Sequence, residues 1–512
     1  MNSRKFLLGC VAPALCALAL ASCGGSDSPL VVSQGTVIHN VSIINTRDGS
    51  LASGQSIVID GGRIEQITSR GVTATGSAVS IDATGKYVVP GYLDMHAHVV
   101  ADADAAQPHW PLLIANGVTG VREMSGSGAV ITRARQLNAD RAAGRVDAPE
   151  IVQVHGGGVA GLPPTSAEAG VQTVATNKAL GADFLKITAG SPPFVLAALA
   201  EAKAQGMGVA GHLVTPVSAL DSSNAGWQTI EHLGAGWGLI MDCTTNEAAL
   251  RQAALLNAYR VPVPPPPTFL TNPRLYDGAT NAVFYQGIID SYSADKCQTL
   301  SQAFVANGTW QTPTLIRLRV QAFATDAAYR NDPKLQYVDK TRRALWEQLA
   351  QQFETTMPAA AATTLKDFYP LQLAVTRLMK QAGVKMMAGS DFATIGTWTI
   401  PGFSLHQEFE QLAAAGFSPL EVLQMTTLHP AEFLKREATM GTVEVGKNAD
   451  LVLLDANPVA DVVNLSRIAA VFLRGKHFSK AALDQMKADL AAAYASQPLQ
   501  PLSTLIDPHH VH

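Results

Sequence analysis

Short apolar runs of strand length alternate along most of the chain with alanine-rich helical stretches. Eight runs read as strands: Gly91 to His98, Gly117 to Met124, Glu150 to His155, Ala182 to Thr188, Gly208 to Leu213, Gln228 to Leu233, Gln311 to Ile316 and Val384 to Asp391. A strand followed by a helix, eight times over, is the pattern of parallel βα units. It predicts an α/β fold, a (β/α)8 TIM barrel over residues 87–438. The rival is an open doubly wound sheet, but no Gly-x-Gly-x-x-Gly turn opens the first helix.

The flanks carry a different rhythm. Thr36-Val37-Ile38, Val41 to Ile44 and Ser56 to Ile59 are strand-like, and Asp60-Gly61-Gly62 is a hairpin signal before Arg63 to Ile67. Met440 to Asp455 and Ile468 to Lys476 repeat the pattern near the other end. The two ends therefore predict one small β-sandwich built from residues 31–86 plus 439–480, with two separate β modules as the alternative. Residues 481–512 are expected to form a C-terminal helix and tail. Within the barrel, a proline-rich run from Pro262 to Pro267 and a helical insertion around Asp326 to Gln381 stand where they would cover its mouth and set specificity.

Length and charge narrow the class. A chain of 512 residues with 47% hydrophobic content holds a large catalytic domain and a smaller one. With 37 basic against 41 acidic residues the formal charge is -4, and no long basic run points to nucleic acid. A small-molecule substrate is the expected partner. The first residues read as an address: Arg4 and Lys5, an apolar run from Phe6 to Leu20, then Leu20-Ala21-Ser22-Cys23. The cleavage segment resembles a bacterial lipobox, which makes 1–22 a signal peptide, Cys23 the lipidation site, 23–30 a linker and the cell envelope the destination; a plain secretory signal is the alternative. The lipid on Cys23 would be the only membrane attachment. Of the remaining cysteines, Cys243 and Cys297 either pair in an oxidising periplasm or stay as buried thiols.

Alternate side chains on a strand share a face, so Asp94, His96 and His98 are expected to point the same way. Two imidazoles so placed can hand two nitrogens to one transition metal. Barrel active sites gather at the C-terminal strand ends, and Lys186, His212, His232 and Asp391 stand at the ends of the fourth, fifth, sixth and eighth runs. Singly, each has a structural reading; together they predict a metal site. His155 ends the third run and His406 lies just beyond the eighth, and both are candidates for contact with substrate. Arg122 and Glu123 end the second run, where either completes an internal ion pair. Trp227, Trp237 and Trp398 either wall the mouth or pack.

These residues, with Pro90-Gly91-Tyr92-Leu93-Asp94 and the run from Gly441-Thr442 through Gly446-Lys447-x-Ala449-Asp450-Leu451, resemble the amidohydrolase superfamily, above all its imidazolonepropionase-related and prolidase-like metal-dependent hydrolases. The resemblance implies that His96, His98 and Asp391 hold one divalent ion, Zn2+, that His212 and His232 hold a second, and that a carboxylated Lys186 bridges them. It implies Asp391 as the base that moves the proton of the attacking water. Imidazolonepropionase works with one metal and lacks this lysine, so a single-metal site with unmodified Lys186 is the rival. The implied reaction is hydrolysis of an amide C–N bond in a dipeptide or N-acyl amino acid, through a metal-activated bridging water. The alternatives are ring opening or deamination of a nitrogen heterocycle, carbamate or ester cleavage, and a non-catalytic binding lipoprotein. A homo-oligomer is expected.

Overall fold

The computed structural model describes residues 29–100, 109–157, 165–256, 272, 274, 278–393 and 396–501. Residues 1–28, with the expected signal peptide and Cys23, and the proline run at 262–267 lie outside the described residues.

Seven parallel strands, Tyr92–Ala97, Val118–Gly126, Glu150–His155, Phe184–Ile187, Gly208–Gly211, Thr229–Glu231 and Trp310–Thr312, pair in the order of the sequence. They form a nearly closed barrel. The eighth run does not become a regular strand: residues around it join the first and seventh strands only through isolated parallel bridges, Met386 to Gln311 and Phe392 to Ala97. Backbone bonds from Met387 N to Gln311 O (3.0 Å) and from Met95 N to Ala388 O (3.0 Å) carry the closure. A glycine makes this approach feasible. A Cβ on Gly389 would lie 2.8 Å from Cβ of His96 and 2.9 Å from Cγ2 of Thr312.

Strands from both ends of the chain meet in one mixed sheet, where Leu451–Leu454 runs antiparallel to Tyr87–Pro90 with Val452 opposite Val89. Period-two alternation gives this sheet two working faces. Val88, Leu451, Leu453, Ala470 and Phe472 turn to one side and form a core with Ile38 and Ile57. Their neighbours Val89, Val452, Leu454, Val471 and Leu473 turn to the other and join the main core of the barrel. At roughly 1.5–3 kcal/mol for each fully buried aliphatic or phenyl side chain, this interface ties the sheet to the barrel.

The helical insertion is present as Ala327–Arg330, Pro333–Tyr337, Lys340–Thr356 and Ala359–Ala382. Helix Lys480–Ser496 packs Leu490 and Tyr494 into a further cluster with Trp346, Trp398 and Leu112. Cys243 and Cys297 form a disulfide, their Cα atoms 4.6 Å apart and both residues fully buried. Among the described residues no helix is long and apolar enough to cross a membrane.

Candidate metal centre

The side chains singled out at the strand ends meet at the C-terminal end of the barrel. His96 Nε2 and His98 Nε2 lie 3.3 Å and 3.2 Å from Asp391 Oδ1, and His232 Nε2 lies 3.8 Å from Asp391 Oδ2. One ligand atom each from His96, His232 and Asp391 fits within 4.8 Å of the others, a spacing suited to one ion. The His212 ring stands edge-on to His232, centroids 5.1 Å apart. Lys186 is buried and its Nζ donates to Met124 O at 2.9 Å.

Three of the four imidazoles are aimed by a partner on the other nitrogen. His96 Nδ1 meets Glu231 Oε2 at 2.7 Å, His98 Nδ1 meets Ser125 Oγ at 2.7 Å, and His232 Nδ1 meets Thr314 Oγ1 at 2.5 Å. Glu231 is itself held by Arg122, whose Nη2 donates to Oε1 at 2.6 Å and whose Nε donates to Met95 O at 2.6 Å. Arg122 thus supplies the internal ion pair, with a carboxylate that sequence reading passed over although it adjoins His232. Glu123 instead accepts the amides of Val99, Val100 and Ser125 and shapes the loop after the first strand. Three residues around the cluster hold left-handed backbone, His232 at φ +54°, Thr314 at +43° and Asp391 at +48°. Such conformations cost on the order of 1–3 kcal/mol each outside glycine and collect at functional sites.

Burial sets the charges. It pushes the His98 imidazole down to about 4 and the His212 imidazole down to about 3, the Lys186 ammonium adding to both. His232 is lowered well below its ordinary value for the same reason. Burial opposes the charge of Asp391, yet His232 and His96 around it hold its carboxyl well below the usual range. Neutral imidazoles beside an ionised carboxylate are the protonation states that bind a metal. Burial also lowers Lys186, against the pull of Asp391 and Glu231.

Other expectations resolve differently. Asp94 lies next to this layer but bonds Ser390, accepting from its amide at 3.0 Å and its hydroxyl at 2.5 Å. The substrate contact expected of His155 finds no support in its surroundings: Nε2 bonds Met124 O at 2.7 Å and Nδ1 accepts from Gly157 N at 3.2 Å, so the ring ties two strand ends together. His406 bonds Asn116 O at 2.9 Å and packs edge-on against Tyr92, at the start of the first strand. Four residues at ~3.3 Å each put that start about 13 Å from His96, at the opposite end of the barrel. The tryptophans pack: Trp227 Nε1 donates to Thr229 O, Trp398 Nε1 to Ala324 O, and Trp237 stands edge-on to Phe284.

The Amidohydrolase family model matches residues 371–477. Imidazolonepropionase of Brevibacillus brevis is 34% identical over 107 residues, 21% of this chain and 24% of that protein. Dihydroorotase of Trichlorobacter lovleyi is 44% identical over 43 residues, 8% of this chain and 10% of that protein. These matches therefore span about a quarter or less of the relatives' length. Among solved structures, a Xaa-Pro dipeptidase with methionine in its active site aligns over 87% of this chain and 100% of its own at 20% identity and a TM-score of 0.57. Bottromycin amidohydrolase aligns over 90% of each chain at 18% identity and a TM-score of 0.64. At these identities the structural likeness establishes a shared fold. The match to the Amidohydrolase family is confined to residues 371–477, and the structural neighbours add a shared fold over most of the chain.

Proposed function

We propose that this protein is a metal-dependent hydrolase that cleaves the C–N bond of a small amide, a dipeptide or an N-acyl amino acid. The observation that carries the reading is the state of His96. Its Nδ1 is taken by Glu231, while its Nε2 is buried, has no hydrogen-bond partner among the described residues and faces Asp391, 3.3 Å away, and His232. A buried nitrogen lone pair aimed into a cluster of neutral imidazoles and one carboxylate fits a divalent cation.

In this reading His96, His98 and Asp391 would hold one divalent ion, Zn2+, and His212 and His232 a second, with Lys186, as a carbamate, offering an oxygen ligand to both. The lowered pKa of buried Lys186 supports that role, because only the neutral amine combines with carbon dioxide, releasing a proton as the carbamate forms. Divalent ions held there supply Lewis-acid polarisation of a carbonyl and an activated water at neutral pH. Asp391 takes the proton of the attacking water on a carboxylate oxygen and delivers it to the leaving nitrogen. Glu231, Ser125 and Thr314 keep the three imidazoles turned towards the cluster throughout. Imidazolonepropionase and adenine deaminase among the partial sequence matches favour, as a second reading, opening or deamination of a nitrogen heterocycle. A lipid anchor on Cys23, an envelope location and a homo-oligomeric state belong to the same proposal, and the buried Cys243–Cys297 disulfide supports an oxidising compartment.

The test is a screen of purified, zinc-loaded protein against N-acyl amino acids, dipeptides and cyclic amides, with metal counted per chain. Two ions per chain and turnover of linear amides orders of magnitude above the cyclic ones are expected. One ion with preference for cyclic substrates overturns the reading in favour of the second.

A further inference from the structure

Two hairpin turns of the mixed sheet meet beside a helix of the barrel. Strands Leu51–Asp60 and Arg63–Thr68 are joined by Gly61 and Gly62, at φ +54° and +79°, and strands Ile468–Leu473 and Lys476–Ser479 by Arg474 and Gly475, at φ +50° and +79°. A two-residue turn with both φ positive favours Asn, Asp or Gly at its first position, because an ordinary side chain there crowds its own backbone. Arginine at 474 departs from that chemistry. Strained positions of this kind collect where a side chain is needed for function.

The turns border a cleft of about 290 Å³, lined by Arg63, Arg474, Asn448 and Glu150 and, from helix Gly128–Ala142, by Arg141. Small-molecule sites begin at roughly 300 Å³, so the space suits a compact ligand. Glu150 opens the third strand, which puts the cleft at the end of the barrel away from the metal cluster, about 17 Å along that strand from His155. Two carboxylates stand against these arginines, and both are engaged. Arg141 Nη2 donates to Asp450 Oδ1 at 3.0 Å, and Arg436 Nη1 donates to Glu150 Oε1 at 2.6 Å. Asp60, at the base of the first turn, is turned to Gln34 Nε2 and Gly61 N. Arg63 and Arg474 pair with no carboxylate among the described residues; from Nη1 each donates to a carbonyl, Gly446 O at 2.8 Å and Arg141 O at 3.3 Å.

Guanidinium charge is permanent at any working pH, so the two arginines left over give the cleft two positive charges to offset. Their planar forks of donors match an oxyanion. We infer that this cleft is a binding site for a phosphate monoester, which carries close to two negative charges at neutral pH and whose oxygens take the remaining donors of Arg63 and Arg474. A phosphodiester such as a phospholipid headgroup carries one charge and meets half of the surplus. Bound there, the ligand ties the sheet made by both chain ends to the barrel helix that carries Arg141. The site is independent of the hydrolase reading.

The experiment is calorimetry of the full-length protein with glycerol 3-phosphate, for wild type, Arg63→Gln and Arg474→Asn, beside a binding assay with phosphatidylglycerol vesicles. One monoester per chain is expected in wild type, with affinity at least tenfold weaker in each variant. Asparagine takes left-handed backbone more readily than arginine, so without ligand Arg474→Asn should melt no lower than wild type, yet lose the rise in Tm that the monoester gives wild type. A melt well below wild type, with no ligand shift in either protein, makes Arg474 a structural tie and overturns the inference. Equal affinity in all three proteins puts the phosphate elsewhere and also overturns it, as does binding of vesicles without binding of the soluble monoester. None of these results bears on amide cleavage.

Discussion

Glu231 Oε2 lies 2.7 Å from Nδ1 of His96, and both side chains are wholly shielded from solvent. An ionised carboxylate there accepts a hydrogen bond from Nδ1 and fixes the ring with Nε2 turned towards the cluster. Arg122 keeps Glu231 ionised against the cost of burial. The chain of charge runs from the second strand through the sixth to the first, across the barrel interior.

Replacing Glu231 by glutamine keeps the shape and removes the charge. Zinc affinity should fall on the order of 10–100-fold, read by competition with a chromogenic chelator. Unchanged affinity would show that Glu231 serves packing alone.

Asp391→Asn should reduce turnover on the order of 10²–10⁴-fold, since it removes the proton acceptor beside three imidazoles. The far-UV circular dichroism spectrum should match that of wild type, because the backbone closure through Met386 and Phe392 does not use the carboxylate. A near-normal rate would take Asp391 out of the chemistry.

His406 makes a pH dependence that is separate from the histidine–aspartate cluster. Burial pushes its imidazole down to about 4 in the folded protein, against about 6.5 unfolded. Between those values the unfolded chain binds the extra proton, so stability rises with pH through the window and is level above it. The folded state should lose about 2 kcal/mol from this group between pH 7 and pH 5. Urea melts of wild type and His406→Phe at both values should differ by that slope; identical slopes would contradict the assignment.

The Cys243–Cys297 bond closes a loop with a sequence separation of 54 residues. Chain-entropy reasoning for a loop of that length gives about 4 kcal/mol of stabilisation. The double variant Cys243→Ser, Cys297→Ser should therefore unfold at clearly lower denaturant, with wild type in reductant following it only after the buried bond opens. A midpoint equal to that of the oxidised protein would mean that the unfolded chain gains little freedom from the break.

Much of the barrel can be read in the chain because its pattern is local. His96 and His98 end an apolar run, and Lys186, His212 and His232 stand at or just past the ends of later ones, so strand position alone sets them at one end. The eighth run, expected as a strand, is a pair of bridges, with Gly389 packed against His96 and Thr312 where a Cβ would not fit. His406 follows that run closely in sequence, yet its helix carries it back to the start of the first strand.

The order of apolar and polar residues by itself determined the alternation of strands and helices, the β character of each chain end and the strand-end positions of His96, His98, His212 and His232, because each depends on neighbours a few positions away. Only the tertiary structure decided that Glu231 lies under His96, that Arg317 pairs with Asp391, and that Cys243 meets Cys297. Those partners are separated by 54 to 135 residues, and which of them face one another depends on how the strands close into a ring and how their helices cross it.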